Sequence, residues 1–117
     1  MNTLLYLHSI VYFLIIFIFL IISFVLRRVK INKIIGYRTC KSYSSIENWR
    51  ILNNKFSNYL IISQLIGFLL NLILIFIKYF YVNSKYFFIL IDFLLVFYFI
   101  FSNIYILINL NEIEKKL

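Results

Sequence analysis

The chain has 117 residues, of which 64% are hydrophobic, 21% aromatic and 14% charged, against about 45–50% apolar and about 25% charged in a soluble domain. A soluble core of this size cannot hide so much apolar surface, so a soluble globular domain is excluded and lipid is the expected solvent. The net charge of +8 does not indicate direct nucleic-acid binding. Eight of the twelve basic residues fall between Arg27 and Lys55, beside an apolar run, where basic clusters set topology and touch anionic lipid.

The first apolar run is Leu4 to Leu26, uncharged and long enough to cross the hydrocarbon core as a helix over about 4–26. A cleaved signal peptide is not expected. Met1-Asn2-Thr3 carries no basic side chain, and Phe24, Leu26 and Arg27 make no small-residue cleavage site. A basic loop over 27–48 follows. Ser44 and Glu47 stand in the spacing of a capping box, so a second helix is expected over about 45–77, entering through the interface and crossing the bilayer. Trp49 then sits near the headgroups.

Residues 78–85 read as a polar turn, 86–108 as the third helix and 109–117 as a fraying tail. Strands are excluded because the runs are long, do not alternate, and would leave backbone groups unpaired in lipid. The expected fold is therefore all-α, a bundle of three transmembrane helices in a single domain. Placing the large loop in the cytoplasm puts ten Lys and Arg inside and two outside. That model has an external N-terminus, an external turn at 78–85 and a cytoplasmic C-terminus.

One Cys and one His supply neither a disulfide nor a metal-ligand cluster. No nucleophile–base pair or phosphate loop appears, so no catalytic residue, metal, cofactor or enzymatic activity is expected. Alanine and proline are absent while Ile, Asn, Lys, Phe and Tyr abound, which reads as an AT-rich, bacterial coding sequence.

The loop is more than a linker. Gly36 can take a positive φ and make a tight turn. Arg38 offers a planar fork of donors for carboxylate, phosphate or backbone carbonyls. Thr39 and Ser42 can hydrogen-bond locally and cap the next helix. The pattern Asn32, Gly36-Tyr37-Arg38-Thr39, Ser42, Trp49, Asn53 resembles the signature of the SdpI family, bacterial membrane proteins named for immunity to a secreted, membrane-damaging peptide toxin. That signature lies between the first two of three transmembrane helices, as this loop does.

The resemblance implies residence in the bacterial cytoplasmic membrane, a toxin peptide as partner, and a receptor role in which a cytoplasmic regulator is held at the membrane. The chain departs from the pattern at Cys40, where members often carry proline, and reads as a short form lacking the additional N-terminal membrane domain of longer members. Two other readings remain: a signalling module whose basic loop recruits a soluble regulator, and an accessory subunit packed against a larger membrane protein.

Asp92 is the single acid within a span. A charge there costs about 2.5–3.5 kcal/mol at the bilayer centre on insertion scales, so it should face other helices. Counting about 1.5 Å per residue places His8, Asn71 and Asp92 at similar depth near the outer face. A polar cluster of His8, Asn71 and Asp92 is expected there, either as interhelical glue or as a sensing site. On the second helix, Ser63-x-x-x-Gly67 is the nearest approach to a small-residue packing motif, with Gln64 beside it.

Overall fold

The structure is a computed structural model that describes residues 6–32, 34–81 and 85–117. It contains four helices in the order α1 (Leu7–Leu26), α2 (Cys40–Tyr43), α3 (Ile46–Tyr81) and α4 (Lys85–Lys115), and no strand among the described residues. Helix α1, and the parts of α3 and α4 over Ile46–Phe80 and Tyr86–Lys115, are long and apolar enough to cross a membrane. The expected start of the first helix at Leu4, and the middle of the expected 78–85 turn, lie outside the described residues.

Helices dominate because a chain in hydrocarbon must satisfy its backbone N–H and C=O groups internally. With no proline to interrupt it, α3 runs unbroken for 36 residues, about 54 Å at 1.5 Å per residue. That length accounts for the 55 Å long axis of the molecule, whose other extents are 22 and 19 Å. Helix α3 is the spine. Helices α1 and α4 both pack along it and barely touch each other, which leaves a lateral cleft between them.

Two apolar layers hold the three long helices together. Near the hairpin that joins α3 to α4, Tyr12, Ile16, Leu74, Ile91 and Leu95 form one core cluster. Toward the loop end, Leu26, Leu60, Ile106 and Leu110 form the other. Between them Gly67 makes room for two tyrosines: a Cβ there would stand 3.0 Å from the Tyr98 ring and 3.1 Å from the Tyr12 hydroxyl. The Tyr98 hydroxyl donates to the Ser63 carbonyl at 2.6 Å. The Ser63–Gly67 spacing thus accommodates aromatic side chains, where the motif alone suggested close backbone approach. Gln64 is buried beside them. Most remaining Phe, Leu and Ile side chains point outward, as expected of a lipid-facing surface.

Three boundaries differ from the sequence-based expectation. The second long helix continues through Lys78 to Tyr81, so Lys78 belongs to the helix and is fully buried. Residues 109–115, expected to fray, are the last two turns of α4, held by Leu110 in the loop-end core. The cap at the start of α3 is supplied by Ser45, one residue after the expected Ser44. Ser45 accepts the Asn48 N–H at 3.0 Å, while Ser44 ends α2.

Candidate functional site

At the hairpin end, polar side chains from all three long helices meet. His8 and Ser9 come from the first turn of α1, Asn71 and Lys78 from α3, and Asp92 from α4. His8 Nδ1 donates to Asp92 Oδ2 at 2.9 Å. Lys78 Nζ donates to Asp92 Oδ1 and to Ser9 Oγ, the latter at 3.2 Å. Its ammonium also lies 5.5 Å from the centre of the Phe88 ring, a favourable cation–π placement. Asn71 Nδ2 donates to the Ser9 carbonyl at 3.0 Å.

The structure therefore brings together His8 and Asp92 of the expected cluster, whereas Asn71 reaches α1 at Ser9 rather than Asp92. Sequence reasoning missed Lys78, because a lysine at the end of an apolar run reads as the start of a turn. The available signal was charge symmetry. Lys78 and Asp92 flank the hairpin with opposite sign, and a buried cation requires a partner. The Lys78 side chain is 0% exposed and that of Asp92 14%, whereas His8 is 72% exposed. The ion pair is thus sealed on the lysine side and capped by a histidine that faces out of the bundle.

The cap adjoins the lateral cleft. A cavity of about 290 Å³ between α1 and α4 is lined by His8, Tyr12, Ile15, Asp92, Phe93 and Val96, among others. Its wall is almost wholly apolar, with the His8–Asp92 pair as its polar end. It lies between two spanning helices, so an occupant can enter sideways from lipid.

At the opposite end the signature loop folds back along the first turns of α3. Helix α1 closes where the Arg28 and Val29 N–H groups both bond the Val25 carbonyl, at 3.0 and 3.1 Å. Asn32 then builds a turn: its Oδ1 accepts the Ile34 and Ile35 N–H groups at 2.8 and 2.7 Å, the local bonding to which Asn is suited. Gly36 follows with φ +121°. A Cβ there would fall 2.7 Å from Asn53 Oδ1 and 2.9 Å from the Trp49 ring, so glycine is required by both conformation and space.

The buried Asn53 accepts the Tyr37 N–H at 2.8 Å and donates to the Trp49 carbonyl at 3.0 Å. Trp49, also buried, donates Nε1–H to the Val29 carbonyl at 2.9 Å and stacks on Tyr43, whose hydroxyl donates to the Asn32 carbonyl at 2.8 Å. Thr39 and Ser42 form a reciprocal capping box on the short α2, a helix not expected from the sequence, and not on the long helix that follows. The signature residues Asn32, Gly36, Tyr37, Thr39, Ser42, Trp49 and Asn53 therefore build one another's positions. Arg38 and Cys40 are exposed on this frame.

Tyr37 locks the loop to the far end of α4, donating its hydroxyl to Glu114 at 2.8 Å. Burial, followed by that hydrogen bond and the carboxylate charge, pushes its pKa up to about 12. This is why residues 109–115 are ordered: the tail is the surface against which the loop closes.

A family model described as the SdpI/YfhL protein family matches residues 28–103, from the loop through α3 into most of α4. No curated protein and no solved structure matches the chain.

Proposed function

The chain belongs to the SdpI/YfhL protein family, and from that premise we propose that it protects a bacterial cytoplasmic membrane against a secreted, membrane-active peptide. The observation that carries this reading is the lateral cleft between α1 and α4, apolar along its length and ended by the His8–Asp92 pair. An amphipathic peptide dissolved in the bilayer can reach it without leaving lipid, place apolar side chains against Tyr12, Ile15 and Phe93, and compete for the exposed histidine cap. With the basic loop in the cytoplasm, the cleft end faces the outer leaflet, where an arriving peptide inserts first.

A second reading, recruitment of a soluble regulator in response to the peptide, is favoured by the signature loop. That loop is a folded element that displays Ile34 at 83% exposure together with Arg38.

The test is protection. The chain is expressed in a strain sensitive to culture supernatant from the cells that encode it, with membrane insertion verified by fractionation. Survival should rise relative to the empty vector. Unchanged killing of cells with the protein in their membrane refutes the immunity reading. Co-purification with a larger membrane protein, without protection, supports the accessory-subunit reading instead.

A further inference from the structure

A second constructed cavity lies at the loop end, apart from the cleft. It has a volume of about 580 Å³ and sits between the end of α1 and the first turns of α3. Four cations line it, namely Arg27, Arg28, Lys30 and Arg50, with Trp49 and Asn53 in its wall. Arg27 is held in place: its Nε donates to Ser57 Oγ at 2.9 Å and its Nη2 to Asn58 Oδ1. Ser57 in turn is fixed by donating to the Ser23 carbonyl at 2.6 Å.

The chain does not neutralise this cluster. It contains four acidic side chains, and three are engaged elsewhere: Asp92 with Lys78 and His8, Glu112 with Lys115, and Glu114 with Tyr37. The fourth, Glu47, does not line the cavity. Among the described residues none of the four cations is ion-paired. Cations gathered around a cleft create a potential that only an external anion can balance.

The shape of the space identifies the anion. A neighbouring cavity of about 670 Å³ shares Arg27, Arg28 and Val29, and is otherwise lined by Ile21, Phe24 and Val25 on the outer surface of α1. The two spaces together are basic at the end of the span and apolar along it. That is the profile of a phosphate headgroup with an attached acyl chain. A soluble phosphate would use the first cavity and leave the second idle.

We propose that the end of α1, the Arg27–Lys30 turn and the first turns of α3 form a binding site for an anionic glycerophospholipid. Arg27, Arg28, Lys30 and Arg50 hold its headgroup, and the Ile21–Val25 face holds one acyl chain. Arginine suits this role because its planar fork matches phosphate oxygens. The site is independent of the immunity reading.

Trp49 is the chain's one tryptophan and lines the headgroup cavity, so its emission reports occupancy. The full chain, purified in a zwitterionic detergent, is titrated with phosphatidylglycerol, phosphatidylcholine or inorganic phosphate. Tryptophan emission and native mass spectrometry are read together. One phosphatidylglycerol per chain should be retained, with a saturable emission change, and phosphatidylcholine should bind far more weakly. Arg28 and Arg50 are exposed, so Arg28→Gln and Arg50→Gln leave packing intact and should each weaken binding about fivefold. Lys41→Gln removes the same charge outside the cavity and should leave affinity unchanged.

Equal retention of both lipids, no retained lipid, or an equal loss in the Lys41 variant overturns the proposal. Saturation by inorganic phosphate alone, at the affinity shown by the lipid, assigns the cavity to a soluble anion and overturns the lipid assignment.

Discussion

Replacing Asp92 with leucine tests the hairpin-end network most severely. The substitution fits the apolar span, so hydropathy alone predicts that it is harmless or stabilising. The structure predicts the reverse, because it strands Lys78, whose side chain is 0% exposed and whose ammonium is held by Asp92 and Ser9. Removing one partner of a buried ion pair costs about 3–5 kcal/mol, a factor of about 100 to several thousand in the folding equilibrium.

Lys78→Met should cost less, because Asp92 is 14% exposed and keeps His8 as a donor. The double variant Lys78→Met/Asp92→Leu removes both charges, and exchange of a buried pair for apolar residues of similar volume is often neutral or stabilising. It should therefore recover most of the loss. The assay is reversible unfolding of the purified protein in mixed micelles, followed by helical circular dichroism, for the wild type, both single variants and the double variant. A coupling energy of about 2 kcal/mol or more is expected for residues in direct contact. Additive losses, or an Asp92→Leu protein as stable as wild type, refute the assignment of Lys78 to a buried pair.

Other consequences concern the loop. Gly36→Ala forces a Cβ into a left-handed backbone, which costs about 1–2 kcal/mol before any clash, and the clash with Asn53 and Trp49 adds to it. Limited proteolysis should cut the loop far faster in that variant. Asn53→Ala removes the acceptor of the Tyr37 N–H and should destabilise by about 1–3 kcal/mol, read as a lower melting temperature. Trp49→Phe keeps an aromatic ring but loses the bond to Val29, at about 1 kcal/mol, and the buried remainder of the indole adds a packing loss. The raised pKa of Tyr37 sets a pH dependence. The folded state holds the proton more tightly than the unfolded chain, so the contribution is present below the ordinary value of 10.0 and is lost as pH rises toward about 12. Loop protection should fall across that window in wild type, and Tyr37→Phe should abolish this part of the dependence.

The long helices were legible because lipid leaves the backbone few alternatives, and runs such as Leu4–Leu26 announce themselves by length. The His8–Asp92 meeting was legible from depth, since two polar residues at one level of a small bundle have few other partners. Lys78 was not legible. Hydropathy treats a charge as the end of a span, and only the packing of α1 and α4 against α3 shows that Ser9 and Asp92 give it somewhere to go. The order of 109–115 was hidden for a similar reason. A polar, charged tail reads as solvated, and its partner Tyr37 stands 77 residues away in sequence. The loop motif signalled a folded element through Gly36, Asn53 and Trp49, but their mutual contacts required the backbone to bring residues 29–37 alongside 49–53. The basic residues 27–50 read as a topology signal and a contact for anionic lipid, and the convergence of Arg27, Arg28, Lys30 and Arg50 on one cavity emerges only from the packing of α1 against α3.

The proposed protection through the polar end of the α1–α4 cleft stands or falls on one comparison. Sensitive cells expressing equal membrane levels of wild type or of Lys78→Met/Asp92→Leu are challenged with the toxic supernatant. Wild type should protect and the stable double variant should not, since its cleft has lost the Asp92 carboxylate that receives His8. Full protection by the variant would rule out a role for the polar end in immunity and reduce the network to a device that holds the helices together.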